Sequence, residues 1–259
     1  TNFEMLQKAV DNFLNGLNAS EFELKETHAY TQTLPAKYYE EGSHFLNRSV
    51  AFALKHTDER LFLSWIMLRS KASDFDYNTI PELYSTWNKH FNKKASDGFT
   101  KRSIMYWSKQ DAFEEYSKVK KDTISTYMDE TLFSQTDFDL AMVLHHMFKD
   151  KYVCSSITHK TWYSFKNHKW ETDQGLTLRL AISKDMFFEY QRKADNFTEQ
   201  MQNCEANGDI YELLKKKCKC ITDICVKLKR TNDKNNIMRE AMELFYDKEF
   251  IKQVDANKH

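Results

Sequence analysis

Two acidic pairs, Asp74-Phe-Asp76 and Asp137-Phe-Asp139, have the spacing of carboxylates that share a magnesium ion. Such pairs work from a strand flanked by apolar residues. Here one pair falls in a polar loop and the other at a helix start, where the helix dipole alone favours acids. Cys204, Cys218, Cys220 and Cys225 invite a zinc reading, but the spacing is wrong for a zinc knuckle. Cys218 and Cys225 belong to an apolar stripe and Cys220 points well away from it, so these read as ordinary buried or half-buried thiols. His145 and His146 are neighbours on one helix, which turns their rings about 100° apart and denies them the grip of an i, i+4 pair. The chain has no GxxxxGK[ST] phosphate loop and no GxSxG nucleophile elbow. The expectation is therefore no catalytic residue, no metal ligand and no cofactor within this chain.

Binding chemistry is better represented. The stretch Thr158–Trp170, THKTWYSFKNHKW, mixes large rings with lysines and histidines. Tyr152–Ile157, Thr161–Phe165 and Lys169–Thr172 are rich in β-branched and aromatic residues, and short polar breaks separate them. The pattern predicts a small antiparallel meander with His159–Lys160 and Lys166–Asn167–His168–Lys169 in its turns. Alternation puts Trp162 and Ser164 on one face and Thr161, Tyr163 and Phe165 on the other. Rings in so small a sheet ordinarily pack it onto neighbouring helices. The sharper alternative is a nucleic-acid contact, with lysines on phosphates and one exposed ring on a base.

A second basic feature is Ile210–Arg230. Ile210, Leu214, Cys218, Ile221, Cys225 and Leu228 form one stripe at helical spacing. Lys215, Lys216, Lys219, Lys227, Lys229 and Arg230 fall mainly opposite it. That face is a solvated surface, a phosphate-binding surface or a contact for an acidic neighbouring subunit.

The elements that must carry these groups are helical almost throughout. Asn2–Leu17 has a helical stripe, and Asn18–Tyr30 reads as a polar linker. Helices follow over Tyr38–His56 and Glu59–Ser70, the latter capped by Asp58 and burying Leu61, Phe62, Trp65 and Leu68. Thr79 and Pro81 open another, with Leu83, Tyr84, Trp87 and Phe91 in register. Asn92–Phe99 is a turn, and Ser103–Leu132 gives two helices. A polar joint at Ser134–Asp137 marks the expected domain boundary, before a helix over Phe138–Lys149. After the meander and a turn at Asp173–Gly175, Leu176–Asn203 is a long helix through Leu178, Ile182, Met186 and Tyr190. Asn207–Gly208 breaks it, Asp209 caps Ile210–Arg230, and Thr231–Asp233 caps Ile237–Tyr246.

The totals agree with this reading. With 259 residues, 14% aromatic, and only 5 glycines and 2 prolines, the chain is expected to be mainly α with a small β part, well packed rather than disordered. Lysine plus arginine equals aspartate plus glutamate at 38 each, so no global field steers the chain to a polyanion and any such affinity must be local. No apolar run is long enough to span a bilayer, and there is no signal-peptide pattern. The five cysteines suit a reducing compartment. The missing initiator methionine and the end at His259 read as an excised fragment.

Three segments resemble one known arrangement: RSIMYWSKQDAFEEYSKVKKDTISTYMDETL (Arg102–Leu132), FDLAMVLHHMFKDKYVCSSITHKTWYSFKNHKW (Phe138–Trp170) and GLTLRLAIS (Gly175–Ser183). They look like the middle of the primase-helicases of nucleocytoplasmic large DNA viruses. In that family an archaeo-eukaryotic primase domain is followed by a type-2 primase C-terminal domain, a poxvirus-type helicase N-terminal domain and a superfamily-three ATPase. The resemblance implies an N-terminal helix and linker over residues 1–37, the second of these domains over 38–134 and the third over 135–259. The primase carboxylates would lie upstream of Thr1, and the ATP and magnesium sites downstream of His259. The family further implies a hexameric ring, a collar position above the motor, and work on single-stranded DNA in viral replication factories of the host cytoplasm. A DNA collar is ordinarily basic and this chain is neutral, so tight autonomous binding is not implied.

The residues expected to contact single-stranded DNA, weakly and without sequence preference, are Lys160, Lys166, His168, Lys169, Lys215, Lys216 and Lys219, with Trp162 or Tyr163 as a stacking ring. The competing expectation is a structural scaffold or protein-interaction module that makes no DNA contact.

Overall fold

The computed structural model describes residues 2–18, 21–91, 98–167, 169–205, 208–248 and 250–251. The turn expected at 92–99 falls largely outside them, as does His168. The chain divides into two compact units, Thr1–Lys121 and Asp122–His259. The division lies within one helix of the sequence, Phe113–Ser134.

The first unit is helical. Helix α1 (Phe3–Asn15) starts where Asn2 accepts a hydrogen bond from the Met5 N–H, and it buries Leu6 and Val10. The stretch read as a linker is helix α2 (Phe22–Gln32), which corrects that expectation. Its hidden face is Leu24, Glu26, Thr27, Tyr30 and Thr31, so no apolar stripe announces it. Burial is tolerated because the Thr27 and Thr31 hydroxyls donate back to the carbonyls of Glu23 and Thr27, at 2.8 and 2.7 Å. Helix α3 (His44–Thr57) starts later than expected, after a 3-10 turn at Ala36–Tyr38 and a left-handed Gly42. Asp58 caps the next segment as expected, a 3-10 turn running into α4 (Phe62–Arg69). Helix α5 (Ile80–His90) carries Pro81 in its first turn. Trp87 from α5 stacks on Trp65 from α4 at 5.7 Å, with Phe62 and Phe91 edge-on around them. Thr100 and Ser103 form a capping box for α6 (Lys101–Asp111), and α7 (Phe113–Ser134) follows.

In the second unit, the joint after Ser134 is a tight turn with Gln135 left-handed. Thr136 then caps α8 (Asp137–Phe148). The meander forms as read: β1 (Tyr152–Ser156), β2 (Thr161–Lys166) and β3 (Lys169–Thr172), antiparallel in the order β1-β2-β3. Helix α9 (Leu176–Ala181), a π segment (Ile182–Met186) and α10 (Phe187–Gln202) occupy the stretch read as one long helix. Leu178, Ile182, Met186 and Tyr190 are all fully buried along it. Helix α11 (Asp209–Lys227) packs along α10, and α12 (Thr231–Leu244) packs along α8. Asp209 is the first residue of α11 rather than its cap, which is Gly208.

After α12 the chain returns to the sheet. The Cys154 N–H donates to the Phe245 carbonyl at 2.9 Å, and the Asp247 N–H donates to the Cys154 carbonyl at 3.0 Å. This bridge lies beside the β1 edge not used by β2, and it covers backbone groups that would otherwise be open to another strand.

Candidate nucleic-acid interface

The sheet is covered unequally on its two faces. Cys154, Trp162 and Ser164 share the inner face and are buried at 0, 2 and 2% exposure. The Trp162 ring meets Phe245 edge-on at 5.5 Å. It also lies against Gly175, where a Cβ would come within 3.0 Å of the indole. Trp162 therefore cannot stack on a base, and that expectation is corrected. Its alternating position gave the face correctly, and the face is the packed one.

Tyr163, Phe165 and Trp170 share the outer face. Phe250 arrives from beyond α12 and inserts among them, 5.1 Å from Tyr163 and 4.9 Å from Trp170. Tyr163 and Trp170 are half-buried by this contact, whereas Phe165 stays 42% exposed beside Trp170, at 5.2 Å.

The cations sit at the turns. Lys160 has a left-handed backbone at the end of the β1–β2 turn, and Asn167 has one in the β2–β3 turn. A two-residue hairpin loop needs such conformers to match the strand twist. That turn places Lys166 directly opposite Lys169 in the register. Like charges facing each other on a ladder repel. Here the strain is relieved on one side, because Lys169 pairs with Glu171 at 3.0 Å. Lys160 and Lys166 are exposed and, among the described residues, have no carboxylate within ion-pair distance.

Helix α11 offers less than its sequence promised. Lys215, Lys216 and Lys219 are exposed, and Lys215 leans on Glu212 at 3.4 Å. Lys227 turns inward to the Gln135 carbonyl at 2.7 Å and to Asp137 at 3.4 Å. Lys229 donates to the Ser183 carbonyl and lies 3.8 Å from the Phe187 ring centroid. The apolar stripe holds at Leu214, Ile221 and Leu228, gains Ile224, and fails at Ile210, which is 64% exposed. Among the described residues no hydrogen bond or ion pair joins the sheet to α11.

The other chemical groups are occupied locally. Asp76 accepts from the Asn78 N–H at 2.9 Å, and the Thr136 hydroxyl donates to Asp139 at 2.6 Å. His146 stacks on Tyr127 at 4.0 Å while His145 meets Phe245 edge-on at 4.8 Å. Cys218 lies 3.9 Å from the Ala194 carbonyl, and burial pushes the Cys225 thiol above its usual range.

No protein-family model matches the chain. Among curated proteins, the "Putative helicase" of Acanthamoeba polyphaga mimivirus is 28% identical over 215 residues, 81% of this chain and 21% of that protein. The "Putative primase" of African swine fever virus (Warthog/Namibia isolate) is 26% identical over 274 residues, 96% of this chain and 27% of that protein. The "Putative helicase" of frog virus 3 is 23% identical over 225 residues, 74% of this chain and 22% of that protein. The chain is similar over most of its length to helicase- and primase-named proteins of large DNA viruses. It spans between a fifth and just over a quarter of the length of these relatives. This agrees with the arrangement that Arg102–Ser183 resembles. Among the described residues no helix is long and apolar enough to cross a membrane.

Proposed function

We propose that this chain is the connector of a viral replicative primase-helicase, acting in DNA replication by guiding single-stranded DNA between a primase domain and a superfamily-three motor. The observation that carries the reading is the β2–β3 hairpin, where two facing lysines crown a ring-bearing sheet, in a chain similar to helicase- and primase-named viral proteins. Lys160, Lys166 and Lys169 contact phosphates, and Lys215, Lys216 and Lys219 add a second contact. His168 stays a proposed member of the first group. Each chain makes few phosphate contacts, so a single chain binds weakly but measurably, and assembly of the parent into a ring strengthens binding by raising effective concentration. ATP, magnesium and the catalytic residues belong to other domains of the parent, and the chain itself hydrolyses no nucleotide. The parent works in replication sites of the host cytoplasm.

The test is the salt dependence of binding to a short single-stranded oligonucleotide. Lys166→Ala with Lys169→Ala should weaken binding and reduce the log–log salt slope by up to about two units. Glu171 already neutralises Lys169 in part, so Lys166 should carry the larger share. An unchanged affinity and slope would favour the second reading, a scaffold without DNA contact. That reading is supported by the burial of Trp162 and the packing of Tyr163 on Phe250.

A further inference from the structure

We propose that the outer face of the sheet is a stacking site for an unpaired DNA base, with Phe165 as the stacking ring and Lys151 and Lys166 as the flanking phosphate contacts. This rests on the single-strand reading above and assigns it a ring that alternation in the sequence could not single out.

Phe165 is the outer-face ring left open. It is 42% exposed, yet it is braced from one side by Trp170, which in turn is fixed by the buried Phe250. A phenyl ring has no polar atom to reconcile it with water, and one held by its neighbours loses little freedom when a flat partner lands on it. The surroundings say what that partner is. Lys166 follows Phe165 at the end of β2, so its side chain starts on the opposite face and serves the site from the hairpin end, by reaching a neighbouring phosphate of the strand. Lys151 is pinned opposite it, because the Phe165 N–H donates to the Lys151 carbonyl at 2.8 Å. Both lysines are exposed and, among the described residues, neither has a carboxylate within ion-pair distance. Lysine is depleted from protein–protein interfaces, so an apolar ring flanked by lysines suits a protein partner poorly. It suits a flat aromatic group carried on a polyanion, the chemistry of single-stranded nucleic acid. A ring on a sheet surface reaches only bases that are not already stacked and paired in a duplex.

The test compares the full 259-residue chain and its variants on two oligonucleotides of equal length, oligothymidylate and its abasic counterpart, by fluorescence anisotropy across a salt series. The wild-type chain should prefer the base-bearing strand by about tenfold or more. Phe165→Leu should abolish that preference and leave the salt slope unchanged. Phe165→Trp should keep it. Lys151→Ala with Lys166→Ala should lower the slope by about two units and keep the base preference. Phe165 is substantially exposed, so Phe165→Leu should unfold at nearly the wild-type temperature. A preference that survives Phe165→Leu, alongside a normal salt slope, overturns the stacking site while the DNA reading stands. Absence of salt-dependent binding by the wild-type chain to either strand overturns both.

Discussion

Gly175→Ala should be far more damaging than an exposed loop change, and most of the damage should disappear once Trp162 is gone. Two separate costs meet at this residue. Gly175 has φ near +75°, a left-handed conformation that costs an L-residue about 1–2 kcal/mol. An added Cβ would also sit 3.0 Å from Cδ1 and Nε1 of the Trp162 indole and 3.2 Å from the Met238 methyl. The methionine end can move aside, but the indole is 2% exposed and backed by Phe245. Forcing such a ring to shift costs about 1–3 kcal/mol. The single variant should therefore lose roughly 2–5 kcal/mol. Trp162→Ala alone should lose about 3–5 kcal/mol, because a large core ring leaves a cavity. In that background the overlap is removed, and Gly175→Ala should cost only its backbone share. A double-mutant cycle by urea denaturation, followed by far-ultraviolet circular dichroism, should show a coupling of about 1–3 kcal/mol. Losses that add to within about 0.5 kcal/mol would show that the indole does not press on Gly175. A mild Trp162→Ala variant that still lost DNA binding would show that this ring is at the surface.

Burial holds the His28 imidazole down to about 4, bonded to the Ser64 hydroxyl at 2.9 Å. The folded value lies below the unfolded one, so the first unit should keep its full stability above pH 6.5 and lose up to roughly 3 kcal/mol as pH falls to 4. His28→Gln should flatten that part of the pH–stability curve, and an unchanged curve would count against His28 as its origin. Asp111→Ala should destabilise the first unit by about 1–2 kcal/mol, since it removes the acceptor of both the Lys37 ammonium at 2.7 Å and the Tyr38 hydroxyl at 2.6 Å. Chemical denaturation reads that loss directly, and a neutral result would show that both donors find other partners. The purified chain should neither hydrolyse ATP nor extend primers above background. Turnover that disappears with a substitution inside these residues would reverse that expectation.

Periodicity carried most of the architecture, and the places where it failed share a cause. The helices around Leu6, Trp65, Trp87, Leu178 and Tyr190 were readable because their buried faces are apolar at the right spacing, and the three strands because β-branched and aromatic residues are gathered between short polar breaks. Helix α2 was not, because it buries Thr27, Thr31 and Glu26 instead of an apolar stripe. Ile210 was misplaced for the opposite reason, since it fits the stripe of α11 but is exposed at the start of the helix. The candidate site shows the same limit. Alternation assigned Trp162 and Phe165 to opposite faces, but nothing local tells which face is covered. That is decided by Phe245 and Phe250, which reach the sheet only after α12 has returned the chain to it.

Long-range placement also decides which of an equal number of charges remain available. The chain is neutral in sum, with 38 residues of each sign, yet in the second unit cations and anions differ in where they are used. Asp129 is 2.9 Å from Lys193, Asp137 is 3.4 Å from Lys227, and Asp139 accepts from Thr136. Lys227 and Lys229 are likewise drawn inward, by the Gln135 carbonyl just past the end of α7 and the Ser183 carbonyl in the π segment. On the sheet, by contrast, Lys151, Lys160 and Lys166 stay exposed and, among the described residues, have no carboxylate within ion-pair distance, while Glu171 is engaged by Lys169 and Asp173 by Thr177. A polyanion approaching at physiological salt senses charges within about 8 Å, so it responds to the lysines at the end of the sheet it meets, Lys151 and Lys166 at one end or Lys160 at the other, and not to the sum. Neutrality overall then has a consequence of its own: long-range attraction is weak, and binding depends on contacts made at the hairpin. Adding salt should therefore act chiefly on how long a strand stays bound, and much less on how fast it arrives. Stopped-flow traces in which salt changed only the association rate would contradict this.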